Sequence, residues 1–176
     1  MEQLDNTRTA TKEDRFLVLL EEHRKIVFKV ANLYSRNQAD SADIVQEVVL
    51  QAWRSFDRYD ESRRFSTWLY AIALNVAISF CRSETRRSRT LVPADESIIH
   101  IAAASSPVIE VEAQLGLLRG FIDQLNELDK ALVLLYLDGN SQDVIAEVVG
   151  ISKSNVGTRI NRIKRKLKKV NSNGIR

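Results

Sequence analysis

Between Ser141 and Leu167 the chain reads SQDVIAEVVGISKSNVGTRINRIKRKL, and its polar residues are of the types that recognise duplex DNA. Arginine, lysine, asparagine, serine and threonine supply hydrogen bonds to base edges in the major groove and to phosphate oxygens. Ile151, Val156, Ile160, Ile163 and Leu167 form an apolar stripe at helical spacing. Lys153, Ser154, Asn155, Thr158, Asn161, Arg162 and Arg165 fall outside that stripe and face outward. Ala146, Gly150 and Val156 stand at the spacing of a helix-turn-helix: a small residue lets two helices approach, and a glycine takes the positive φ of the turn. The last acidic residue is Glu147, after which come Lys153, Arg159, Arg162, Lys164, Arg165, Lys166, Lys168, Lys169 and Arg176. Such a run is a positive field suited to phosphates, although a solvated basic helix would also produce it.

Two further groups lie upstream. In DSADIVQEVVLQAW, residues 40–53, Ile44, Val45, Val48, Val49, Ala52 and Trp53 make a wide apolar face, while Asp40, Asp43, Gln46, Glu47 and Gln51 are polar. Carboxylates three and four residues apart on a helix can present an acidic patch to a partner. The alternative is local: Asp40 as N-cap and Asp43 as an early helical residue, both favoured by the helix dipole. In residues 58–82, Tyr59, Phe65, Trp68, Tyr70 and Phe80 alternate with Arg58, Arg63, Arg64 and Arg82. Rings that stack on bases beside cations that hold the backbone are the chemistry of single-strand binding. Phe65 and Trp68 are equally suited to a core, and Trp53 and Phe56 are assigned there.

The elements that must carry these residues are helices. No glycine precedes Gly116, and both prolines, Pro93 and Pro107, lie in one stretch. Helical periodicity predicts helices near 13–35, 40–56 and 65–82, with a weaker one at 83–90. Residues 91–107 have no clean period and read as a linker, in which Ile98, Ile99 and Ile101 are unusually apolar. Helices are expected again near 108–125, 128–137, 142–149 and 153–170. The expected fold is all-α: two small helical domains, 12–90 and 108–170, joined by a flexible linker, the second ending in the helix-turn-helix.

Composition narrows the function. Of 176 residues, 44% are hydrophobic, as in ordinary globular chains, and the polar N-terminus lacks the apolar core of a signal peptide. One cysteine, Cys81, makes no internal disulfide and fits a reducing cytoplasm. Two histidines and one cysteine cannot assemble a usual zinc site, so no metal or cofactor is expected. No glycine-rich phosphate loop and no nucleophile–histidine motif is present, which argues against an enzyme.

Taken in order, these segments resemble the extracytoplasmic-function (ECF) branch of the bacterial sigma-70 family. Asp43-Ile-Val-Gln46-Glu47, followed by Ala52-Trp53, resembles its D-x-x-Q-E…A-W signature, and Phe65-Ser-Thr67-Trp68-Leu69 its F-x-T-W-L element. Leu125–Leu137 with the helix-turn-helix resembles the family's fourth domain. The resemblance implies a promoter-specificity subunit that binds core RNA polymerase, recognises −10 and −35 elements and supports initiation. It implies polymerase binding by Asp40, Asp43, Gln46 and Glu47. It implies contacts to duplex and melted −10 DNA by Arg58, Tyr59, Arg63, Arg64, Phe65, Trp68 and Asn75. It implies −35 contacts by Lys153, Ser154, Asn155, Thr158, Arg159, Asn161, Arg162 and Arg165. An anti-sigma factor is a further implied partner.

Departures from the family pattern occur at Val49, where Phe is frequent, and at Leu74 and Ser79, where Arg and Asp are frequent and which bear on −10 base preference. At Gly157 a basic or polar residue is frequent, so Thr158, Asn161 and Arg162 become the candidates for base edges and Lys153, Ser154, Arg159 and Arg165 those for phosphates. About five phosphate contacts would give a log–log salt slope near −4.5. Two other readings fit parts of the chain: a stand-alone helix-turn-helix regulator, which would leave the front domain unexplained, and a protein-interaction module, which the basic terminus does not favour.

Overall fold

A computed structural model describes the backbone of residues 11–90, 116 and 118–173, and the side-chain surroundings of residues 11–84, 116 and 118–169. The predicted linker, with Ile98, Ile99 and Ile101, lies outside the described residues, as does half of the helix expected at 108–125. The chain divides into two compact units, Met1–Ala77 and Ile78–Arg176.

In the front unit, α1 (Lys12–Tyr34) opens with a capping box. The Thr11 hydroxyl accepts from the Asp14 amide at 3.1 Å, and the Asp14 carboxylate accepts from the Thr11 amide at 3.1 Å. The bond from the Thr11 amide foremost, with a second from the Thr11 hydroxyl at 2.9 Å, holds the Asp14 carboxyl below its ordinary range. Helix α2 (Gln38–Ser55) is capped by Asn37, whose Oδ1 accepts from the Asp40 amide at 2.8 Å. Asn37 is therefore the N-cap, and Asp40 sits three residues inside the helix, correcting the alternative that made Asp40 the cap. A 3-10 turn, Phe56–Arg58, continues α2. Helix α3 runs unbroken from Phe65 to Thr90, where the sequence suggested two helices meeting near residue 82. No glycine or proline interrupts that stretch, so nothing stops the first helix.

The front core joins Phe16, Val27, Val30 and Tyr34 of α1 to Ile44, Val48 and Ala52 of α2 and to Phe65, Leu69, Ala73 and Ala77 of α3. Leu74 is buried with them as a packing residue. From Ile78 to Glu84 no residue of α3 is fully buried, and the division between units falls where this burial ends.

In the rear unit, residues 118–123 are helical and precede α4 (Glu127–Leu137), α5 (Gln142–Val149) and α6 (Lys153–Asn173). Asn126 caps α4 through the Asp129 amide at 2.8 Å, and Ser141 caps α5 through the Val144 amide at 3.3 Å. Gly150 closes α5 at φ 72°, its amide donating to the Ala146 carbonyl at 2.9 Å. The expected turn is thus formed by the expected residues. Val156, Ile160 and Ile163 of α6 are buried with Leu132, Leu135 and Ile145, as the apolar stripe predicts.

Candidate nucleic-acid interface

The apolar stripe of α6 turns the opposite face of the helix outward. Ser154, Asn155, Thr158, Asn161, Arg162 and Arg165 are all exposed. Ser154, Thr158, Asn161 and Arg165 recur at three- and four-residue intervals, which places them on one side of the helix. Thr158 donates its hydroxyl to the Ser154 carbonyl at 3.0 Å and keeps its acceptor lone pairs outward. Lys153 is exposed and pairs with Asp143 at 2.8 Å, bridging the first turn of α5 to that of α6. Arg162, Arg165, Lys166 and Lys169 line a shallow concavity of about 240 Å³ toward the end of the helix.

The other flank of α6 is tied to α4 by a residue that the sequence did not single out. Asp129 is 3% exposed. Its Oδ1 accepts from Arg159 Nη1 at 2.9 Å and its Oδ2 from Arg162 Nη2 at 3.2 Å. The Asn126 amide donates to the same Oδ2 at 3.1 Å. Arg159 also donates from Nε to Asn155 Oδ1 at 3.2 Å. Arg159, expected to meet phosphate, is half-buried, its guanidinium held between buried Asp129 and exposed Asn155. Arg162 is different: 49% of its side chain stays exposed, and Nη2 alone pairs with Asp129. Gly157 lies beside the Gln142 side chain, with room for a Cβ 3.4 Å from Gln142 Oε1.

In the front unit Phe16, Trp53, Phe56, Tyr59, Phe65 and Trp68 join one ring cluster. Phe56 meets Phe16 at 5.2 Å and Tyr59 at 5.9 Å, Tyr59 meets Trp68 at 5.1 Å, and Phe65 meets Trp68 at 5.2 Å. Phe65 is 4% exposed, so its ring belongs to the core and cannot stack on a base, a correction to its place among the DNA contacts. Phe56 is core as assigned, but Trp53 is only half-buried, its ring capped by the Lys12 ammonium at 4.5 Å. Trp68 is half-buried, and Asn75 and Arg82 follow it at seven-residue intervals, so the three share one face of α3. Asn75 and Arg82 are exposed there.

The loop before α3 is held by its own hydrogen bonds and by ion pairs to α1. Tyr59 donates its hydroxyl to the Arg63 carbonyl at 2.7 Å, and burial, aided by Glu61 and Asp60, pushes its phenol pKa up, which keeps it a donor. Asp60 accepts from the Ser62 hydroxyl and, at 2.9 Å, from the Ser62 amide, and these bonds, the hydroxyl one foremost, hold its carboxyl below the ordinary range. Lys12 pairs with Asp57 at 2.7 Å and Arg15 with Glu61, so α1 brackets the loop. Arg58, Arg63 and Arg64 are exposed around it.

On α2, Asp43, Gln46 and Glu47 are exposed on one face, and Glu47 accepts from Gln51 at 2.8 Å. Asp40 is half-buried and accepts from the Arg36 amide at 3.3 Å, so it serves the start of the helix as well as bordering that face. An open groove of about 570 Å³ runs beside Gln46, lined by Phe28, Asn32, Ala42 and Val45 among others. Phe28 is 50% exposed, an apolar contact that charge patterning alone did not reveal.

Comparison with known proteins assigns both units. Residues 19–87 match the family model for Sigma-70 region 2, and residues 115–167 match that for Sigma-70 region 4. The RNA polymerase sigma factor CnrH of Cupriavidus metallidurans is 30% identical, with 85% of this chain and 82% of that protein aligned. The chain belongs to the ECF branch of the sigma-70 family. The ECF sigma factor SigW of Bacillus subtilis is 25% identical over 89% of each chain, and the ECF sigma-E factor of Escherichia coli K12 30% over 75% of each. Among solved structures, the sigma factor RpoE in complex with the anti-sigma factor NepR from Bartonella quintana shares the fold at a TM-score of 0.66, with 21% identity over 91% of this chain and 96% of that one. CnrH in complex with the cytosolic domain of CnrY does so at 0.65, with 23% identity over 91% and 89%. This sigma factor is thus a promoter-recognising subunit of RNA polymerase that supports transcription initiation, and not an enzyme.

Proposed function

We propose that the work of this sigma factor is divided among three exposed faces, on domains bounded at 12–90 and 108–170 with a linker at 91–107. The face of α2 bearing Asp43, Gln46 and Glu47, with Asp40 at its edge, docks on core polymerase. The loop and α3 face bearing Arg58, Arg63, Arg64, Trp68 and Asn75 hold the melted −10 strand, with Tyr59 shaping the loop. The face of α6 bearing Ser154, Thr158, Asn161, Arg162 and Arg165, flanked by Lys153 and Asn155, reads the −35 duplex. The observation that carries this division is the burial pattern of α6, which turns its base-reading side chains outward as one surface.

The chain works in the cytoplasm, where its polymerase and promoters are. Because the RpoE and CnrH structures are complexes with NepR and CnrY, we assign this chain an anti-sigma partner as well. Duplex opening costs about 1.4 kcal/mol per base-pair step, beyond what a few stacking residues supply, so polymerase must contribute and isolated promoter affinity is weak.

Run-off transcription with core polymerase and a promoter library, followed by sequencing, tests the division. Arg162→Ala should degrade selection at the −35 position and leave polymerase binding intact. Asp43→Ala with Glu47→Ala should do the reverse. Identical defects from both would overturn it.

A further inference from the structure

Nothing in the family match assigns a role to the buried carboxylate beneath α6. We propose that Asp129 is a positioning residue for −35 recognition, an internal acid that competes with DNA phosphate for Arg159 and Arg162. This rests on the reading of α6 as the −35 helix.

The geometry supports the role in three ways. Asp129 is fixed before any DNA arrives: it is 3% exposed, its amide is held by Asn126 Oδ1 at 2.8 Å, and Asn126 also donates to its carboxylate at 3.1 Å. Both carboxylate oxygens are occupied by arginines one helical turn apart on α6. The two arginines are held unequally, with 27% of the Arg159 side chain exposed against 49% for Arg162. Arg159 is thereby withheld from DNA, while Arg162 is anchored at one nitrogen and presents the remainder of its planar fork in a set direction.

That arrangement favours sequence reading over general attraction. An arginine reads a base edge only when its fork lies in the plane of the base, whereas a phosphate accepts a cation from many directions. Released from Asp129, both side chains become mobile cations, and the nearest anions are phosphates of any sequence. Removing the acid should tighten binding to arbitrary DNA and blur the preference for the correct element. A carboxylate with a merely structural role predicts a loss on both.

The test uses the full chain and two duplexes of equal length, one bearing the −35 sequence recovered from the run-off library and one scrambled. Affinities are measured by fluorescence anisotropy across a series of salt concentrations. For Asp129→Asn, which keeps the shape and an acceptor oxygen, the log–log salt slope on the scrambled duplex should steepen by about 0.9–1.8, one increment per arginine freed. The ratio of specific to scrambled affinity should fall about tenfold, within the range for one lost bidentate base contact. Asp129→Ser should behave alike and guards against a peculiarity of the amide. An unchanged slope and ratio, or affinities that fall together, would overturn the proposal, as would failure of both variants to fold. Absence of salt-dependent binding in the parent chain overturns the reading of α6 and the proposal with it, and is distinguishable because it appears before any substitution.

Discussion

Single residues in this sigma factor separate into those that build and those that touch. Phe65 and Arg64 are adjacent, yet one ring is buried against the rings of His23, Phe56, Tyr59 and Trp68 and the other side chain is in solvent. Phe65→Ala should cost about 3–5 kcal/mol in denaturant unfolding. Arg64→Ala should change stability by less than about 0.5 kcal/mol while weakening holoenzyme binding to fork-junction DNA. The residue types Phe, Trp, Arg and Asn were legible in the sequence as candidates for DNA contact. Which of them the fold covers was not, because periodicity places a side chain on a face without saying what packs there. Asp129 was invisible for a stronger reason: its partners lie 30 and 33 residues away, and no local pattern encodes such a pairing.

At the level of elements, the local signals carried most of the information. Ser141 and Gly150 bound α5 as residues 142–149 were predicted to be bounded, since a cap and a left-handed turn are written in one or two residues. Gly150→Ala should lower the stability of the rear unit by about 1–2 kcal/mol, the cost of a side chain at positive φ, seen as an earlier thermal transition. Asn37→Ala should cost about 0.5–2 kcal/mol in the front unit, and Asp40→Asn much less, as measured by denaturant unfolding. The end of α3 is not legible in the sequence, because a charged, weakly amphipathic stretch looks like a new element, although a helix continues until a breaker stops it. Asp14 adds a pH dependence. Its carboxyl is depressed in the folded state, so its contribution is present above the unfolded value and is lost as pH falls through the lowered one. Asp14→Asn should therefore remove part of the acid sensitivity of helicity at the start of α1, measured by amide exchange.

Across the whole molecule, the salt dependence of DNA binding measures how many cations are free to act. With Arg159 held by Asp129, the slope for the parent chain should lie near −3.6 rather than the −4.5 expected from the sequence, one phosphate contact fewer. The all-helical class and its two-part organisation were legible because both prolines are confined to one stretch and no glycine precedes Gly116. The exact division was not, because α3 passes through it without a break in backbone and only its burial changes. The ring cluster of the front unit has one more consequence. Both tryptophans of the chain, Trp53 and Trp68, sit in or against that cluster, and none lies in the rear unit. Intrinsic tryptophan emission is consequently a reporter of the front unit alone: it will register a base stacking beside Trp68 or the loosening of α1 at Lys12, while the helix-turn-helix can melt or seize DNA in optical silence.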